Sequence, residues 1–320
     1  MATPVLLASY EVLSAASDTS SLVTPSFTPS DGEVLIVKVA SETVNTPTIG
    51  LATGGGQTYT SRISINVANH CPIRLFTATV SGSPGSMTVT VPFTVNSGFH
   101  SLVVERWGNA QLAASPAINS ATPSNSAPSL TINTVLSDSV VSWLSADWNA
   151  NAPGTPVYRS SAIQTGIHDK SAAVAYVAYF AYQVCGAAGT QTFGLSAPGN
   201  QEATMGAIEV QGLGVNPSVA TQAVTNITAA TATGNGNVTS DGGQAITERG
   251  VCWSTSVNPT TSDSKATSAG TTGTFTASLT GLSSATLYHV RAYAINSIGT
   301  SYGDDVTFIH YPVALSWISA

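Results

Sequence analysis

Short runs of β-branched and aromatic residues, each closed by Gly, Pro, Ser or Asn, recur along the chain. "GEVLIVKVAS" from Gly32, "IRLFTATV" from Ile73 and "SMTVTVPFTV" from Ser86 set the pattern. "SGFHSLVVERW" ending at Trp107, "SDSVVSWLSADW" ending at Trp148, "AVAYVAYFAYQV" and "ATMGAIEVQGL" continue it. Such runs suit a pleated, half-buried surface, and "PSDGE", "TGGGQ" and "SGSPGS" supply turns between them. No stretch carries an apolar stripe at the ~3.6-residue period of a helix. The pattern predicts an all-β fold in which residues 1–212 form a jelly-roll-like β-sandwich, two sheets packed face to face.

Two polar segments interrupt the series. "GNAQLAASPAINSATPSNSAPS" from Gly108 and "NANAPGTPVYRSSAIQTGIHDK" from Asn149 show no periodicity and are expected to be long loops, either binding elements, assembly arms or surface slack. A boundary is expected at "QGLGVNPS", where Gly212, Gly214 and Pro217 punctuate a linker. Beyond it, residues 217–312 read as seven short strands with a turn every ten or so residues, an immunoglobulin-like sandwich.

Within that block "GNVTSDGG", "RGVCWSTSVNPT", "SLTGL" and "LYHVRAYAINSIGTSYG" occur in one order and spacing. The block resembles the fibronectin type III-like modules of bacterial surface proteins and phage structural proteins. In that family a tyrosine six residues after a turn leucine ties back to the backbone, and Leu282 and Tyr288 fit this tyrosine corner. Ser284 stands where a proline is frequent. The N-terminal "LLASYEV", "DGEVLIVKV" and "MGAIEVQG" are similar in pattern to the β-sandwich modules of phage head and tail surface proteins. Alternation along the strand places Tyr288, Val290, Ala292 and Ala294 inward and His289, Arg291 and Tyr293 outward. Trp253 shares a face with Val251 and is expected in the core. The final "VALSWISA" from Val313 puts Leu315, Trp317 and Ile318 in an apolar tail suited to docking on its own sandwich or a neighbouring chain.

Composition narrows the function classes. Charged residues are 8% of the chain, against ~25% in ordinary globular proteins. The formal charge is −7, and the nine Lys and Arg residues are scattered, so no basic stripe exists for nucleic acid or an anionic membrane. Cys71, Cys185 and Cys252 are odd in number and form no CxxC, which points to buried free thiols and folding in a reducing compartment. The opening "MATPVLLASYEV" has neither a basic stretch nor an apolar core, so no secretory signal is expected. "SAAVAYVAYFAYQVCGAAG" from Ser171 is apolar but lacks basic flanks and reads as a buried strand.

Candidate chemistry is sparse. No HExxH pair occurs, and His70, His100, His168, His289 and His310 are never at ligand spacing. His168 and Asp169 read as a polar turn, and Asp304 with Asp305 is too small a set for calcium. Gly54, Gly55 and Gly56 read as a turn. Glu105 and Asp147 lie next to Trp107 and Trp148, which suits either a sugar-binding cleft or rim packing.

These readings converge on a non-enzymatic structural protein of a tailed-phage virion, without metal or cofactor, assembled in the host cytoplasm and displayed on the particle surface. A secreted adhesin or carbohydrate-binding protein is the alternative. The expected partners are other virion proteins of capsid or tail, further copies of the chain (a trimer among the options) and a host-surface glycan, with no nucleic acid and no membrane. Candidate contact residues are His289, Arg291, Tyr293, Leu315, Trp317 and Ile318. The structural core of the smaller module is assigned to Trp253, Tyr288 and Leu282.

Overall fold

The computed structural model describes residues 3–14, 19–42, 48–67, 70–94, 98–113, 115–123, 126–147, 156–159, 161–169, 176–199 and 201–311, and contains no helix among them. The chain divides into a large unit, Ala2–Leu213, and a small unit, Gly214–Ala320.

The first half of the large unit holds β1 (Val5–Leu13), β2 (Ser21–Val23), β3 (Val34–Ser41), β4 (Thr60–Ile65), β5 (Ile73–Thr79), β6 (Thr90–Pro92) and β7 (His100–Gly108). The second holds β8 (Ala110–Gln111), β9 (Ile118–Ala121), β10 (Ser129–Thr134), β11 (Val140–Asp147), β12 (Val157–Tyr158), β13 (Ile163–Asp169), β14 (Val177–Val184), β15 (Gly189–Ala197) and β16 (Ala203–Gly212). All pairings are antiparallel. One large sheet has the order β1-β7-β3-β5-β4. The other runs β9-β16-β11-β14-β13, with β8 also on β16, and so repeats the first strand for strand.

The two large sheets bury one core between them, where Val34, Ile36, Val103 and Trp107 meet Val140, Leu144, Phe180 and Ile208. On its other face the first sheet packs Leu35, Val37 and Val104 against Leu22 of β2 and Val91 of β6. The second sheet packs Trp143 and Tyr179 against Leu130, Ile132 and Phe193 of a small sheet, β10-β15-β12. The large unit is therefore four layers, two sandwiches back to back, rather than the two sheets that the strand count suggests. Burial on both faces explains why β3, β11 and β16 are continuously buried rather than alternating.

The duplication extends to fine detail. A bulge interrupts β4 between Ser61 and Ile63, and another interrupts β13 between Gln164 and Gly166, each one strand beyond the same neighbour. Left-handed Gly32 precedes β3 as left-handed Asp138 precedes β11. The turns carrying them are each held by a carboxylate: Ser30 N–H donates to Glu33, and Leu136 N–H donates to Glu209. These landmarks equate Lys38 with Leu144, Glu105 with Ile208 and Arg62 with Thr165. Two of the strand facings are twofold mates: β3 lies on its own counterpart β11, and β4 on β9 matches β13 on β1.

Both expected loops contain strands. The segment from Gly108 supplies β8 and β9, and the segment from Asn149 supplies β12 and β13; residues 148–155 lie outside the described ones. β9 reads "INSA" and is mostly exposed at a sheet edge, so no apolar alternation marks it.

The small unit holds β17 (Ser218–Thr225), β18 (Ala232–Ser240), β19 (Glu248–Ser254), β20 (Ser264–Thr267), β21 (Gly273–Leu279), β22 (Thr286–Ile295), β23 (Thr300–Tyr302) and β24 (Val306–His310). One sheet is β17-β18-β21; the other is β20-β19-β22, with β23 and β24 both on β22. Trp253, Tyr288, Phe275, Val290 and Phe308 form the core between them, and Leu282 packs against it. Tyr288 Oη accepts the Ser283 N–H at 2.9 Å, the backbone tie of a tyrosine corner, beside left-handed Ala285. β18 approaches closely because Gly236 has no side chain: a Cβ there would lie 2.5 Å from Phe275 Cζ and 2.7 Å from Ala292 Cβ.

Candidate functional site

The densest polar constellation lies in the core between the two large sheets. Lys38 on β3 and Glu105 on β7 form a fully buried ion pair through Lys38 Nζ and Glu105 Oε1. Their strands are adjacent, Ile36 standing opposite Glu105 and Lys38 opposite Val103, so both side chains leave the same face. Thr165 Oγ1 donates to Glu105 Oε1 at 2.8 Å and accepts from Lys38 Nζ at 3.2 Å. Glu105 Oε2 accepts from Ser142 Oγ at 2.6 Å and from Trp107 Nε1 at 3.2 Å. Nζ also lies 3.4 Å from the carbonyl oxygens of Trp143 and Ala181. Burial pulls the Lys38 ammonium below its usual range, and Glu105 beside it pulls the other way.

Glu105 and Asp147 therefore line no cleft. Asp147 is buried, its carboxylate accepts the Glu202 N–H at 3.2 Å, and Trp148 lies outside the described residues. Nor do His168 and Asp169 form a turn. They lie on β13 with opposite facings, His168 buried and Asp169 exposed. Ser101 Oγ meets His168 Nδ1 at 2.7 Å and Tyr176 Oη at 2.8 Å. A serine beside a histidine invites comparison with a nucleophile and base, but both are buried and Ser101 belongs to the core face. His100 stacks on Phe93, and burial pushes its imidazole down to about 4.

On the small unit the three outward residues are engaged within the fold. His289 Nδ1 pairs with Asp305 at 3.0 Å, and Arg291 Nε donates to the Gly303 carbonyl at 2.8 Å while its guanidinium covers the Tyr302 ring. Tyr293 was expected on an open face and is instead fully buried, with its hydroxyl donating to Glu248 at 2.7 Å and Lys265 lying over its ring. Leu315, Trp317 and Ile318 lie outside the described residues.

Three surface hollows run along the β4 and β9 edges, of about 240, 550 and 270 Å³. Two share Arg62 and two share Ile118 and Asn119; hydroxyls and amides of Thr58, Thr60, Thr77, Thr131 and Asn133 alternate there with apolar Leu112, Ile65 and Ile132, and no carboxylate lines them. Sequence reading missed this strip because it lay in a presumed loop and an unremarkable strand. Among the described residues no group of His, Cys, Asp or Glu is placed to hold a metal ion. Among the same residues no helix is long and apolar enough to cross a membrane, and Val177–Val184 of the apolar segment form the buried strand β14. Cys71, Cys185 and Cys252 are buried free thiols, and burial pushes Cys185 and Cys252 up to about 11.

No family model matches the chain, and no curated protein matches it. Among solved structures it is similar to one described as domains A168-A170 from titin, at 12% identity over 97% of this chain and 99% of that chain, with a TM-score of 0.21. A superposition that loose assigns neither a family nor a function.

Proposed function

We propose that this chain is a non-enzymatic structural protein of a tailed-phage virion: a surface decoration, head fibre or minor tail component that stabilises the particle or attaches it to the host. The observation that carries the reading is where the reactive groups lie. Lys38, Glu105, Ser101, His168 and the three thiols are buried and serve the packing of the sheets. A chain with so few charges and so many strands has the make-up of a scaffold. The fibronectin-like residue set around Tyr288 supports a displayed module, and fold alone does not supply the function. Antibody raised against the chain should label particles released by lysis of the source cells. Unlabelled particles, with the protein recovered only from medium or envelope, would reject the virion role.

The hollows around Arg62 and Asn119 favour a second reading, a glycan-binding adhesin, because hydroxyl, amide and guanidinium groups suit a polyhydroxyl ligand. Binding to host-surface polysaccharide that Arg62→Ala and Asn119→Ala abolish, on a protein absent from particles, would select it.

A further inference from the structure

The Lys38–Glu105 pair has no counterpart in the duplicate half, where Leu144 and Ile208 occupy the equivalent positions. An apolar pair therefore satisfies this interface, and burying two charges in its place incurs a desolvation penalty that their attraction merely offsets. The surrounding groups do more than balance charge. Thr165 bridges the amine to one carboxylate oxygen, accepting from Nζ and donating to Oε1. The other oxygen is held by two separate donors, Ser142 Oγ and Trp107 Nε1. Thr165 is the extra residue of the β13 bulge, a feature that re-aims a side chain, and here it delivers a hydroxyl into the core.

The geometry points to an intramolecular amide cross-link between Lys38 Nζ and Glu105 Cδ, tying β3 to β7. Lys38 first passes a proton to Oε1, and burial favours the neutral amine that this leaves on Nζ. Nζ then attacks Cδ, and negative charge develops on Oε2, where Ser142 and Trp107 donate. Thr165 accepts a proton from Nζ and hands its own to Oε1, which departs as water. One C–N bond forms and one C–O bond breaks, no electrons are exchanged, and no co-reactant is consumed. The N–H that remains on the amide faces the carbonyl oxygens of Trp143 and Ala181. The inference is independent of the virion reading.

Mass spectrometry of the denatured, reduced full chain tests it. The expected mass, after allowance for removal of Met1, is lower than that of the sequence by one water. Trypsin should then fail to cut after Lys38 and should release residues 1–62 joined to residues 75–106 as one species. Thr165→Val keeps the side-chain shape but removes the relay, and pulse labelling should show water loss slowed ~100-fold or more. A full-length mass with peptides 1–38 and 39–62 recovered separately overturns the proposal and leaves an ion pair only. Water loss mapped elsewhere overturns it equally, and an unchanged rate in Thr165→Val overturns the relay.

Discussion

Trp253 fills the centre of the small unit's core, against Tyr288, Phe275 and Val290. Truncating a buried Trp to Ala removes a transfer contribution and leaves a cavity, typically ~3–5 kcal/mol, against a total stability of ~5–15 kcal/mol for a domain. Trp253→Ala in the full chain should therefore remove the small unit's cooperative melting transition, and an undiminished transition in calorimetry would place the ring outside the core's energetics. His100 makes a prediction for pH. Its folded pKa of about 4 lies below the ordinary 6.5, so the unfolded chain binds a proton first as pH falls. Its contribution is whole above pH ~6.5, declines by up to ~1.4 kcal/mol per pH unit down to ~4, and is flat below. Urea midpoints across that window should be flatter in a His100→Gln variant. Residues such as Trp253 and Tyr288 were legible in the sequence because strand alternation fixes a side chain's face. Tyr293 was not, because alternation says nothing about what covers that face, and Lys265 and Tyr302 close over it.

At the scale of elements, the buried strands declared themselves and the edges did not. β3, β11, β14 and β16 are apolar runs because both of their faces are covered. β9 pairs through its backbone while showing polar side chains to solvent, so its hydrogen bonds leave no mark in the residue pattern. Glycines carry information of the opposite kind. "TGNGN" reads as a weak strand, yet β18 needs Gly236 so that Phe275 and Ala292 can close on it. Gly236→Val should overpack this contact and destabilise the small unit by ~1–3 kcal/mol, despite valine's better strand propensity. A raised melting temperature would show that β18 has slack to retreat. The hollows along β4 and β9 were invisible for a related reason: no residue type there is unusual, and only the meeting of two sheet edges creates the strip.

The whole large unit repeats one sandwich, but the repeat is one of geometry. Equivalent positions share burial and strand order while Lys38 answers to Leu144 and Glu105 to Ile208, so the sequence betrays no self-similarity there. The comparison yields a test of what the ion pair contributes. Lys38→Leu leaves a buried carboxylate without its cation, and Glu105→Ile leaves the converse; each should cost ~3–5 kcal/mol. The double variant restores the apolar chemistry of the other half and should melt above either single variant. A double variant as unstable as the sum of the singles would mean that the two halves, despite their common strand order, pack this core differently.

A symmetric dimer of one sandwich would carry every substitution twice, once on each side of its axis. Joining the halves into a single polypeptide removes that constraint, since each copy then mutates alone while the linker keeps its partner at hand. With β3 lying on β11, a dimer of first halves would bring a second lysine, and with it a second glutamate, into the same core. One buried cation and one anion from the first half, met by a bulge-borne hydroxyl from the second, is an arrangement open only to a fused pair. The duplicated fold is thus what frees this protein to give its two halves different parts in one buried cluster.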